Sequence, residues 1–143
     1  MASIMAKVVV QKSDREGFYV GTAGDFRIDI ERTENRSPKS IDLVLLGLGS
    51  CTIATIAHYL RRKGLPPDCV RVELAAEFDE KANLYKDFEV VLHASDALPP
   101  ETRKVLAGIA RSCRVHRTLT SAPQISIRLA EDREKAQEPA EAP

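Results

Sequence analysis

The stretch KSIDLVLLGLGSCTIATIAHYLRRKG, residues 39–64, decides the fold. It predicts one long helix over Ser40–Lys63. Ser40 is the expected N-cap, and Asp42 falls in the first turn, where a carboxylate is favoured by the exposed amides. Arg61, Arg62 and Lys63 fall in the last turn, and Gly64 stands as the residue after the cap, ahead of Pro66 and Pro67. The first half, IDLVLLGLGSC, is apolar almost all round, and such a helix is buried on every face. So small a domain rarely surrounds a helix by itself, so dimerisation is expected. Gly47 and Gly49 would let another backbone come close, at a helix-propensity cost of about 1 kcal/mol each.

Outward from this helix the pattern changes period. On the N-terminal side, Ala6–Gln11, Gly17–Thr22 and Phe26–Ile30 predict a three-stranded antiparallel meander. Phe26, Ile28 and Ile30 alternate with Arg27 and Asp29, and Ala23-Gly24-Asp25 supplies turn chemistry. Glu31–Ser37 is polar and reads as a loop. On the C-terminal side, Val70–Phe78 and Phe88–Ala94 alternate as strands, with Asp79–Asp87 as a hairpin loop or the frayed ends of longer strands. Leu98-Pro99-Pro100-Glu101 opens a second helix, with Val105, Leu106, Ile109 and Ala110 at helical spacing, and that helix is expected to reach Cys113. Val115–Leu119 reads as a short turn and Gln124–Leu129 as a last strand. From Glu131 the sequence EDREKAQEPAEAP has no apolar periodicity and is expected to be disordered. The expectation is an α+β fold, β-β-β-α-β-β-α-β, as one domain over residues 1–130 with a tail over 131–143.

Composition narrows the function. The 143 residues carry 21 basic and 21 acidic side chains, a formal net charge of zero, which gives no electrostatic reason to expect nucleic acid or an anionic membrane as partner. Tryptophan is absent and aromatics are 5%, against a stacking platform for bases or sugars. The apolar run Ile41–Ala57 is broken by Asp42, Gly47, Gly49, Ser50 and threonines and is not expected to span lipid. The N-terminus lacks a secretory pattern, so a cytoplasmic protein is expected. Three cysteines in such a compartment are buried small residues or reactive thiols rather than structural disulfides.

Cys51 lies inside the long helix in GLGSCT and Cys113 in ARSCRVHRTL. Their spacing excludes a CxxC motif but allows contact in space. Arg111, Arg114, His116 and Arg117 flank Cys113, and cations beside a thiol favour its thiolate; the same residues also suit a helix C-terminus. Cys69, at a strand start, reads as structural, and His93 as a surface residue of a strand. A metal site could be drawn from Cys51, His58, Cys113 and His116, but no pair has the close spacing of a strong zinc site, and none is expected. Asp42 precedes Cys51 by nine residues, half a revolution away on a helix, so the two cannot meet on one face. No Gly-rich phosphate loop, GxSxG or HExxH is present, and no cofactor is expected.

KSIDLVLLGLGSCTIATIAHYLRRKG resembles the SPYELLLAALGACT-type helix of the OsmC/Ohr family, and IARSCRVHRTL resembles that family's CPVHRTL motif. The order of elements is also similar, over about residues 6–130. The resemblance implies an intertwined homodimer with its active sites at the subunit interface. It implies that Cys51 is the peroxidatic thiol, that Cys113 resolves it, and that an external dithiol reduces the resulting disulfide. It places Asp42 at the position of the SPYEL acid, and Arg15-Glu16-Gly17 on an R-x-G turn whose arginine would support Cys51. Ser40 replaces the motif's proline, Ile41 its aromatic, and Arg114 the proline after the second cysteine. The function implied is thiol-dependent reduction of hydroperoxides, organic ones above all. The competing reading is a non-catalytic dimer that binds a small ligand or serves a stress response, with the cysteines as packing residues.

Overall fold

The computed structural model describes residues 5–31 and 35–130; the expected tail over 131–143 lies outside them. The chain folds as β1 (Val9–Lys12), β2 (Phe18–Ala23), β3 (Phe26–Glu31), α1 (Ser40–Arg62), β4 (Val70–Asp79), β5 (Leu84–Ala94), α2 (Pro100–Ala110) and α3 (Arg114–Thr120). Strands β1, β2 and β3 form an antiparallel sheet in that order, and β4 pairs antiparallel with β5 in a second sheet. The α+β class expected from the periodicity is the class observed.

Local chemistry fixes the elements. Ala23 pairs with Phe26, leaving the two-residue loop Gly24-Asp25. Gly24 has φ +59 there, a hairpin position suited to glycine. At the start of α1 the N-cap is Lys39 rather than Ser40. Asp42 decides this, because its carboxylate accepts the Lys39 N–H at 2.9 Å and so fixes where the helix begins. At the other end Gly64, with φ +69, donates to the Arg61 carbonyl at 3.0 Å, and Leu65 donates to the Leu60 carbonyl at 2.9 Å. This pair of bonds is a Schellman closure, and it needs the left-handed backbone that glycine adopts without strain.

One face of α1 packs against β4, α2 and α3. Ile56 and Leu60 join Val70, Leu98 and Leu106 in the core, with Cys69 packed against its edge. Gly49 allows the close approach of α1 to β4, since a Cβ there would stand 2.7 Å from Leu74 Cδ1. The glycine expected to admit a second copy is therefore filled by the chain's own sheet. Gly47 has open space around it. Val44, Leu46 and Ile53, on other faces of α1, remain exposed.

Asp79–Asp87 belongs largely to longer strands, one of its two expected readings: β4 runs to Asp79 and β5 from Leu84, with an irregularity between Ala75 and Glu77 that resets the register. Two expectations change. The second helix stops at Ala110, and Cys113 is the N-cap of the helix α3 rather than the end of α2. Residues 124–129 form no strand among the described residues, and Ile125, Ile127 and Leu129 are 82%, 94% and 82% exposed. Their alternation encodes a buried face, but the single chain offers that segment no neighbouring strand to complete its hydrogen bonds. By length and composition α1 could cross a membrane, a test that the core helix of a globular domain also passes. Its serine and threonine hydroxyls are satisfied on the helix itself: Ser50 donates to the Gly47 carbonyl, Thr52 to that of Leu48 and Thr55 to that of Cys51.

Candidate active site

Cys51 occupies the middle of α1, half-buried, on the side that meets α3. Cys113 is fully buried where the chain leaves α2 and enters α3. Its own N–H donates to the Ala110 carbonyl at 3.1 Å and its carbonyl accepts from Arg117 at 3.0 Å, so both sides of the residue are fixed. Packing of α1 against α2 and α3 brings the Cys113 thiol beside Cys51, where it favours the Cys51 thiolate. Both are free thiols.

The environment favours the thiolate of Cys51. Burial raises its pKa, but the Cys113 thiol, the backbone amides of Val115 and Arg114 and the Thr55 hydroxyl all lower it, and the net result lies below the ordinary thiol value. The amides are available because the first N–H groups of any helix have no intrahelical acceptor. Thr55, whose hydroxyl donates to the Cys51 carbonyl at 2.8 Å, contributes least of the four. The resemblance implies a thiolate at Cys51 held by an arginine; the structure favours the anion there through the Cys113 thiol and two backbone amides instead. Thr55 was legible as the residue one helical turn beyond Cys51; the two amides carry no side-chain signal at all.

The other two expected site residues are not brought to the thiols within one chain. Asp42 caps α1, nine residues and about 13 Å of helix rise before Cys51, on the opposite face. Arg15 lies between β1 and β2, its guanidinium 3.9 Å from the centre of the Phe18 ring and 3.7 Å from an Asp29 oxygen. Arg36 stands 4.6 Å from the same ring and pairs at 3.4 Å with Glu31, whose side chain is fully buried. Glu31 also accepts the Arg36 N–H at 3.0 Å. This Phe18 platform, with two guanidinium groups and an acid for each, was not foreseen, because Glu31 and Arg36 read as loop.

Beside the thiols is a cleft of about 500 Å³, floored by Phe88, Val90 and Leu92 of β5, with Arg111 and His116 among its polar walls. Its lining includes Leu48 and Thr52, which flank Cys51 along α1, but neither cysteine. His58 faces a separate groove. Among the described residues no three His, Cys, Asp or Glu side chains are grouped to hold a metal ion. His93 lies 3.5 Å from Glu73 on the outer side of the second sheet.

The family pattern of OsmC-like proteins matches residues 33–128, which include both cysteines and α1 through α3. The chain belongs to the OsmC-like family. Among solved structures, an OsmC-like protein from Mycoplasma pneumoniae superposes with a TM-score of 0.74 at 10% identity, covering 85% of this chain and 91% of the other. A protein from Aquifex aeolicus gives 0.71 at 16% identity over 84% and 90%. The organic hydroperoxide resistance protein OhrB of Bacillus subtilis gives 0.59 at 17% identity over 83% and 93%. At these identities the likeness is one of fold. No curated protein sequence matches this OsmC-like chain.

Proposed function

We propose that this OsmC-like protein is a thiol-dependent peroxidase that reduces organic hydroperoxides. The carrying observation is the juxtaposition of Cys51 and Cys113 where α3 meets α1, with the Cys51 thiolate favoured by the Cys113 thiol and the amides at the start of α3. Membership of the OsmC-like family and the shared fold with a hydroperoxide resistance protein support the same reading.

The chemistry runs in three steps. The Cys51 thiolate attacks the outer oxygen of the hydroperoxide. The O–O bond breaks, an alcohol leaves after taking up a proton, and Cys51 becomes a sulfenic acid. The Cys113 sulfur then attacks the Cys51 sulfur, expelling water and closing a disulfide. An external dithiol returns both residues to thiols and is itself oxidised. The amides of Arg114 and Val115 hold the anion before the first step.

The working unit in this proposal is a cytoplasmic homodimer. Leu46 of α1 is 60% exposed, and the first sheet leaves Val8, Val10, Phe26 and Ile28 open around an apolar hollow. Contiguous apolar surface of this kind marks an interface. A second copy would also cover Ile125, Ile127 and Leu129, and would be the source of an arginine beside Cys51, since Arg15 of the same chain is held elsewhere.

Counting free thiols after adding tert-butyl hydroperoxide to the reduced protein tests the reading. Loss of two thiols per chain is expected; an unchanged count would sink it. The cleft that bypasses both cysteines favours a second reading, a non-catalytic dimer that binds an apolar ligand there. Iodoacetamide at mildly acidic pH separates the two, because only a stabilised thiolate alkylates under those conditions.

A further inference from the structure

The proposed cycle leaves one question of chemistry open: which sulfur of the Cys51–Cys113 disulfide the reductant attacks. The two choices give different covalent intermediates. Two physical effects compete. The thiol with the lower pKa is the better leaving group, which by itself directs attack to Cys113 and expels Cys51. Access points the other way. Cys113 is 0% exposed, sealed between the end of α2 and the start of α3, whereas Cys51 is only half-buried. Leaving-group strength alters a rate by a modest factor, but a sulfur with no exposed surface has no line of approach at all.

The surface around Cys51 supplies such a line. Thr55, His58 and Arg62 follow Cys51 at intervals of four, seven and eleven residues, so they continue one stripe along α1. That stripe lines a groove of about 420 Å³ with Tyr59, Lys63 and Ser112. The groove ends at Thr55, one helical turn from Cys51, and Ser112 on its far wall directly precedes Cys113 in the chain. The groove brings a reductant beside the disulfide without containing either sulfur, and the exposed part of Cys51 is the sulfur surface it can then reach.

We propose that the reductant attacks Cys51, so that the mixed disulfide forms on the peroxidatic residue and buried Cys113 is the leaving group. The proposal rests on the two-thiol reading above. One thiolate of a dithiol forms a bond to the Cys51 sulfur as the Cys51–Cys113 bond breaks. The electron pair stays on Cys113, which takes a proton from solvent. The second thiol of the reductant then attacks its own sulfur bound to Cys51, forming the reductant's disulfide and releasing the Cys51 thiolate. Two electrons have moved from the dithiol to the protein, and no other reactant is consumed.

The test uses the full chain. The disulfide is first closed with diamide, a thiol oxidant that needs no peroxidase activity. Glutathione, a monothiol that cannot complete the cycle by cyclising, is then added briefly. The sample is quenched in acid, free thiols are alkylated, and peptides are mapped. Glutathione on Cys51 with an alkyl group on Cys113 is expected, in roughly tenfold or greater excess over the reverse, as site-selective access requires. Glutathione mainly on Cys113, equal labelling of both, or failure of diamide to close the disulfide would each overturn the proposal. A parallel sample treated with peroxide keeps the two readings apart: a disulfide formed by diamide but never by peroxide removes the peroxidase and leaves the order of attack measurable.

Discussion

The thiol of Cys113, the N-cap of α3, lies beside that of Cys51 in the middle of α1 and favours its thiolate, although 62 residues separate them. Two helices must pack on α1 for this to happen, and both do. In the proposed mechanism this contact holds the attacking and the resolving thiol side by side before any substrate arrives.

Separating the two roles requires one substitution. Cys113→Ser is expected to leave the first oxidation intact while preventing the intramolecular disulfide. Intact-mass analysis after one equivalent of hydroperoxide should show a sulfenic acid on Cys51, or its adduct with a trapping reagent, and no loss of two hydrogens. An intramolecular disulfide persisting in this variant would point to Cys69.

The pH dependence follows from the shift at Cys51. Its folded-state pKa is depressed, so thiolate is present below the pH at which a free thiol ionises. The matching contribution to stability is complete above the unfolded pKa and is lost as pH falls through the folded value. Alkylation rates of Cys51 against pH should show a midpoint below that of a free cysteine. Cys113→Ala removes a donor and should raise the midpoint; Thr55→Val should raise it less. A midpoint unmoved by Cys113→Ala would mean that the thiol contact does not stabilise the anion.

Asp42 can be tested as a cap independently of catalysis. Asp42→Ala removes the acceptor of the Lys39 N–H and should cost about 0.5–2 kcal/mol of stability, as lost N-terminal caps do. Urea unfolding of the reduced protein reads this directly. An unaltered midpoint would show that the cap contributes nothing.

Two glycines should respond in opposite directions to alanine. At Gly49 the new Cβ meets Leu74 at 2.7 Å, and the overpacking should cost about 1–3 kcal/mol, more than the gain in helix propensity. At Gly108, inside α2, nothing lies within 4 Å, so alanine should stabilise by up to about 1 kcal/mol. Thermal unfolding of the pair checks both signs. A stabilising Gly49→Ala would mean that α1 and β4 are not held at this separation.

The proposed dimer predicts that Leu46→Glu, on the exposed face of α1, converts the protein to a monomer. Sedimentation velocity measures the change. Diamide should still join Cys51 to Cys113, because that contact lies within one chain. If the variant sediments as the parent does, this face of α1 is not the interface.

Much of this fold was legible because its periodicities are local. The long helix announced itself through the terminal Gly64 and the cations before it, and the alternation in Phe26–Ile30 matched a real strand. The misreadings share one cause. Ser40 looked like a cap, but Asp42 two residues later made the decisive bond. Gln124–Leu129 alternates as strands do, yet alternation reports that a face is to be buried and not which chain buries it. At the site, the cysteines were legible from their motifs. The amides that stabilise Cys51 were not, because backbone donors leave no residue type to read. Nor was the buried Glu31, whose acid character suggested a solvated loop.

Cys113 stands outside the regular geometry of both helices it joins, as the hinge pin between them. The short connection 111–113 lies outside regular helix and is where adjustment is expected if the proposed disulfide closes. Oxidised and reduced forms should then give the same far-ultraviolet circular dichroism, and the proposed cycle would need no melted intermediate.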